Sequence, residues 1–253
     1  MAAEARGSAE DAGADAETAE TQIMIKETIH RLKSELPATV KLVAVSKFHP
    51  FEAIEEAYAA GQRIFAESRP QELLAKVRRL EEIRAEREEP GYMADVEWHF
   101  IGHLQTNKLK MVLPYVSLVQ SVDSVRLLEA VDAWGRNNGK VTDVLLEPHV
   151  AAEDTKQGFD PEEIMAILAD SGKYANVRFK GIMGMATFTE DEAVISSDFK
   201  AISSLYKKAC ELYPSLQQNF TELSIGMSDD YPLAIEHGST MVRIGSMIFG
   251  TRY

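Results

Sequence analysis

One lysine in this chain stands where an amine can do covalent chemistry. Lys47 follows the apolar run Val43-Ala44-Val45 and Ser46. At the end of a buried strand such an amine is either an ordinary solvated charge or one that burial strips of its proton, making it a nucleophile toward a carbonyl and a Schiff-base former. Near the other end of the chain, two apolar runs finish in small polar residues: Ser224-Ile225-Gly226-Met227-Ser228 and Met241-Val242-Arg243-Ile244-Gly245-Ser246. Hydroxyls and glycine N–H groups at successive strand ends suit a phosphate cradle. The competing reading is local: Ser228 caps the following helix, and Gly245 lets the backbone turn. Arg243 sits inside an apolar strand and must face a polar site or meet an acceptor, because an unpaired buried guanidinium is very costly.

These residues need a scaffold, and the apolar pattern supplies one. Eight short apolar runs begin near Lys41, Arg63, Glu97, Ser117, Thr142, Arg178, Phe220 and Met241, alternating with helix-periodic stretches. The spacing is close to the ~30 residues of a strand–helix–strand unit. Ala53, Ile54, Ala57 and Tyr58 form one apolar helical stripe ended by Gly61, and Leu73, Leu74, Val77 and Leu80 form another. Ahead of them, Ile25, Ile29, Leu32 and Leu36 mark an amphipathic leading helix stopped by Pro37. Eight parallel strands close into an α/β fold, a single (β/α)8 TIM-type barrel with an extra N-terminal helix, spanning residues 21–253. A doubly wound open sheet is the alternative, disfavoured by the lack of a Gly-rich dinucleotide turn. In such a barrel the site lies at the C-terminal ends of the strands, where Lys47, Ser228, Gly245 and Ser246 fall.

The chain has 253 residues and a formal net charge of −13. Residues 1–20 carry six acids and one base with almost no large apolar side chain, which predicts a disordered acidic tail. Residues 81–97 carry seven acids and two bases, as a solvated helix end and loop would. The acidity is therefore concentrated in two stretches and leaves room for an anionic ligand at the barrel mouth, while arguing against nucleic acid as a partner. The longest uncharged run, Met111 to Val122, is too short to span a membrane and contains a proline. With no basic-then-apolar leader and a single cysteine, Cys210, a cytoplasmic protein is expected.

Several separated segments, in order, resemble the pyridoxal phosphate homeostasis protein family: Lys41 to Lys47, Phe65-Ala66-Glu67-Ser68-Arg69-Pro70-Gln71-Glu72, Trp98 to Lys108, Gly226-Met227-Ser228-Asp229-Asp230, and Gly238 to Gly245. The resemblance runs from about Thr21 to Tyr253. It implies a barrel like the N-terminal domain of alanine racemase, with pyridoxal 5′-phosphate (PLP) held as a Schiff base on Lys47. It further implies Ser228, Gly245 and Ser246 as phosphate ligands and Arg243 as the partner of the pyridine nitrogen. Arginine donates a hydrogen bond there but rarely a proton, and an unprotonated ring is a weak electron sink.

Only Thr251-Arg252-Tyr253 follow Gly250, so the further β-domain through which racemases supply a second base and pair with one another is not expected. The expectation is a monomeric PLP-binding protein that buffers the cofactor and delivers it to apo PLP-dependent enzymes. A slow PLP-dependent racemase or lyase is the alternative, and a PLP-free barrel binding a phosphorylated metabolite is the third reading. Two segments depart from the family. Ala66-Glu67-Ser68 replaces Gly-Glu-Asn, with Ser68 and Gln71 spaced as a capping box, and Glu147-Pro148-His149-Val150 replaces a Gln-Val pair and a polar segment, leaving His149 to face the ring or a substrate. His99 and His103 fall on one strand face without a third metal ligand. Met183, Met185 and Met227 read as barrel filling and Cys210 as packed on a helix.

Overall fold

The computed structural model describes residues 24–150 and 158–250. The acidic segment 1–20 and the C-terminal Thr251 to Tyr253 lie outside the described residues. Residues 24–35 form α1, which buries Ile25, Ile29 and Leu32 and is followed by buried Leu36. Eight strands then alternate with helices: β1 (Lys41–Val45), α2 (Phe51–Ala59), β2 (Ile64–Glu67), α3 (Pro70–Glu86), β3 (Glu97–Phe100), α4 (Leu109–Val112), β4 (Leu118–Val122), α5 (Val125–Asn138), β5 (Thr142–Leu146), α6 (Pro161–Ala169), β6 (Val177–Met183), α7 (Glu192–Leu212), β7 (Glu222–Ser224), α8 (Tyr231–Glu236), β8 (Met241–Ile244) and α9 (Ser246–Phe249). All pairings are parallel, and β8 returns to β1, closing the barrel.

The strands read as continuous apolar runs because both faces are covered. Alternate residues divide between two layers. Val43, Val45, Ala66, Leu118, Leu145, Met183 and Met241 fill the barrel interior, while Leu42, Ala44, Phe65, Phe100, Val119, Val144 and Val242 pack outward against the helices. Gly181 is required where β6 meets β7: a Cβ there would lie 1.7 Å from the Glu222 carbonyl oxygen.

Three local expectations need correction. Ser68 does not cap α3; the N-cap is Arg69, with no side-chain cap, and Pro70 opens the helix. Proline is preorganised for the first helical position and forces the residue before it into extended backbone, which moves the start past Ser68. β3 ends at Phe100, so His103 lies beyond the strand and shares no strand face with His99. Of the three methionines only Met183 fills the barrel; Met185 and Met227 follow the ends of β6 and β7 and are 47% and 37% exposed.

Candidate functional site

Alternation along β1 carries Val43 and Val45 into the interior and brings Lys47, half-buried in the turn beyond, to the barrel mouth. β8 lies beside it with Val43 opposite Arg243, so the arginine sits one layer below the mouth. Between them, Gly245 abuts the end of β1: a Cβ there would come within 3.1 Å of the Val45 carbonyl oxygen. The Gly245 N–H donates to Ser228 Oγ at 3.4 Å, which joins the loops after β7 and β8. Ser246, the first residue of α9, is exposed beside them. Lys47, Arg243, Ser228, Gly245 and Ser246 therefore gather around one quadrant of the mouth, at the ends of β1, β7 and β8. Lys47 can supply an amine, and the two loops can supply hydroxyl and N–H donors to a phosphate-bearing ligand.

Arg243 is held from below by a buried polar chain that crosses the barrel. Its Nη1 donates to Ser224 O at 2.8 Å and Ser224 Oγ at 2.7 Å, and Nη2 donates to Gly184 O at 3.0 Å. Ser224 Oγ donates in turn to Gln120 Oε1 at 2.7 Å, and Gln120 Nε2 approaches His99 Nδ1 at 2.9 Å. Because the Gln120 amide can only donate from that nitrogen, His99 accepts through Nδ1. Burial, aided by the charge of Lys41, pushes His99 down to about 3 and so keeps it neutral. Burial also lowers Arg243 to about 10, opposed by the charges of Glu147 and Asp230; it stays a cation at neutral pH. Three of its five N–H donors are used by the described residues and two are not.

Next to this quadrant, the sector of the mouth over β5, β6 and β7 is acidic and open. A cavity of about 860 Å³ is lined by Glu147, His149, Met185, Phe188, Met227 and Asp230 among others. Burial, reinforced by Asp123, lifts the Glu147 carboxyl to about 7, with Arg243 and His103 pulling the other way. His103 Nδ1 lies 2.7 Å from Asp123 Oδ2. His149 lines this cavity rather than the quadrant of Lys47, and Ser68 is half-buried at the end of β2. Among the described residues no group of three His, Cys, Asp or Glu side chains is gathered as a metal would require.

Reading the chain alone missed Gln120, Ser224 and the buried pair of Glu67 and Lys76, whose Oε1 and Nζ lie 2.6 Å apart. For Gln120, Ser224 and Glu67 the available signal is a polar residue within an apolar strand, as at Arg243; Lys76 lies on α3 and has no such signal.

Residues 23–253 match the family model described as alanine racemase, N-terminal domain. The pyridoxal phosphate homeostasis protein of Aquifex aeolicus (strain VF5) is 35% identical over 84% of this chain and 87% of its own length. That of Homo sapiens is 36% identical over 90% of this chain and 82% of its own. Among solved structures, PipY of Synechococcus elongatus PCC7942 with PLP bound superposes with a TM-score of 0.78 at 35% identity, covering 89% of this chain and all of that one. Alanine racemase from E. faecalis shares the fold alone, with a TM-score of 0.65 at 17% identity over 58% of its chain. With a closed eight-stranded barrel, a lysine at the end of its first strand and these relatives over most of its length, the chain belongs to the pyridoxal phosphate homeostasis protein family, built on the alanine racemase N-terminal domain fold.

Proposed function

We propose that this chain binds PLP, holding it as a Schiff base on Lys47, and keeps it available for apo PLP-dependent enzymes. The observation that carries the reading is the convergence at one quadrant of the mouth of an amine, the hydroxyl and N–H groups of two strand-end loops, and a buried cation with two N–H donors unused by the described residues. The residues fit the group. A side chain at Gly245 would press on Val45, so glycine keeps the ends of β1 and β8 close, and the two Arg243 donors unused by the described residues suit a ring nitrogen acceptor. When bound, PLP supplies an aldehyde that condenses with an amine and a ring that can accept electrons.

The chain's own residues do the rest. Lys47 Nζ, once deprotonated, is the nucleophile. The Ser228 hydroxyl and Ser246 hold the phosphate, joined by the Gly245 N–H once it exchanges its 3.4 Å contact to Ser228 Oγ for the ligand. Arg243 donates hydrogen bonds without giving up its proton, since even at about 10 its pKa lies far above neutral. A ring left unprotonated is a poor electron sink, which favours holding the cofactor over turnover. The test is the absorbance of the purified protein after PLP is added. A Schiff-base band in the parent that is absent in Lys47→Ala is expected; an unchanged band in the variant overturns the assignment.

Slow racemase or lyase chemistry is the second reading, favoured by Glu147, whose carboxyl titrates near 7, and by the His103–Asp123 pair across the mouth. Lys47-dependent exchange of an amino acid's α-hydrogen in deuterated water would establish it over the carrier reading.

A further inference from the structure

The backbone on both sides of Lys47 is held by charged side chains that the binding reading does not use. Lys47 occupies the second position of a turn in which the His49 N–H donates to Ser46 O at 3.1 Å. The third residue, Phe48, has a φ of +69°, a left-handed conformation that glycine or asparagine normally provides at that place. Before the lysine, Lys76 Nζ donates to Ser46 O and to Glu67 Oε1, each at 2.6 Å, and Ser46 Oγ donates to the same Glu67 oxygen at 2.6 Å. After the lysine, the Phe48 N–H donates to Glu72 Oε2 at 2.9 Å, and the Arg69 guanidinium lies 4.4 Å over the Phe48 ring. Side chains of β2 and α3 thus grip the two neighbours of Lys47. Because Ser46 points outward to α3, alternation sends Lys47 the other way, to the mouth.

Stability alone does not explain this arrangement. Glu67 is fully buried, its Oε2 has no hydrogen-bond partner among the described residues, and burial lifts its carboxyl above the ordinary range against the pull of Lys76. A buried ion pair left partly unsatisfied is often no more stable than apolar residues of the same volume. The strained Phe48 is likewise a cost that the surrounding contacts must offset.

We propose that Glu67, Lys76 and Glu72 are positioning residues, a clamp that fixes the turn at Ser46 and Phe48 and so presents the Lys47 amine in one orientation at the mouth. The proposal rests on Lys47 being the attachment point, and its test separates the two claims. The probe is propionaldehyde with cyanoborohydride, a small carbonyl without phosphate, and the rate of Lys47 alkylation relative to an exposed lysine such as Lys110 is read by peptide mass spectrometry well below the melting temperature. In Glu67→Leu/Lys76→Met, and separately in Glu72→Gln, that relative rate falls by about tenfold or more, as loss of orientation of a reacting group produces, and its pH profile changes. The double variant melts no lower than the parent. Lys76→Arg, which keeps a cation against Glu67 and Ser46 O, recovers part of the rate. An unchanged relative rate and pH profile in all these variants, whatever their melting temperatures, overturns the clamp. Equal PLP uptake by Lys47→Ala and the parent, measured in parallel, overturns the attachment point instead.

Discussion

At the scale of single residues, the chemistry depends on charges kept in the right state by burial. Arg243 is aimed by Ser224 and Gln120, so removing the serine hydroxyl strands both a guanidinium donor and the Gln120 oxygen. Ser224→Ala is expected to cost about 1–3 kcal/mol by denaturant unfolding and to weaken PLP binding; unchanged stability and affinity would contradict the network. Glu147 gives a pH signature. Its folded carboxyl holds a proton to about 7, whereas the unfolded chain releases it near pH 4.3. Between those values the unfolded state ionises first, so the parent loses stability as pH rises, and the full cost is reached above 7. Glu147→Gln removes that cost and is expected to exceed the parent's stability by on the order of 2–3 kcal/mol at pH 8, with a much smaller gap at pH 5. Denaturant midpoints across that range check it, and a gap that does not grow with pH contradicts it. His99 runs the opposite way. Held near 3, it costs stability as pH falls below about 6.5, so His99→Asn, which keeps an acceptor for Gln120, is expected to flatten the acid limb by up to about 1.4 kcal/mol per pH unit.

At the scale of elements, the strands were legible and the loops were not. All eight strand starts read from the apolar runs lie within two residues of those observed, because parallel strands buried on both faces leave an unbroken apolar signal. The start of α3 was misread because the spacing of Ser68 and Gln71 mimics a cap, while Pro70 decides the matter through the backbone. Met185 and Met227 were misplaced for a related reason: apolar composition runs past the strand end, and only hydrogen bonding shows where the ladder stops. The buried polar chain from His99 to Arg243 joins four strands and has no sequence-local signature. Gly181 carries an element-scale prediction. Since a Cβ there would lie 1.7 Å from the Glu222 carbonyl oxygen, Gly181→Ala must push β6 away from β7 and is expected to destabilise by at least ~2–3 kcal/mol. A melting temperature equal to the parent's would show that the barrel accommodates the methyl group.

At the scale of the whole molecule, closing the sheet brings the first and last strands together, and with them a lysine and an arginine nearly two hundred residues apart in the chain. Alternation on β1 and β8 then decides which side chains face the mouth. The quadrant holding Lys47 collects the donors, while the adjoining cavity over β5, β6 and β7 collects Glu147, Glu190, Glu192, Asp229 and Asp230, so a net charge of −13 coexists with the donor-rich quadrant proposed to hold the phosphate. The central claim is that Lys47 carries PLP. Its most direct test is borohydride reduction of the PLP-loaded protein followed by peptide mapping. The account predicts one reduced pyridoxyl group on the peptide containing Lys47 and none on that peptide's counterpart in Lys47→Ala. Label spread over surface lysines, or equal label in the variant, would contradict it.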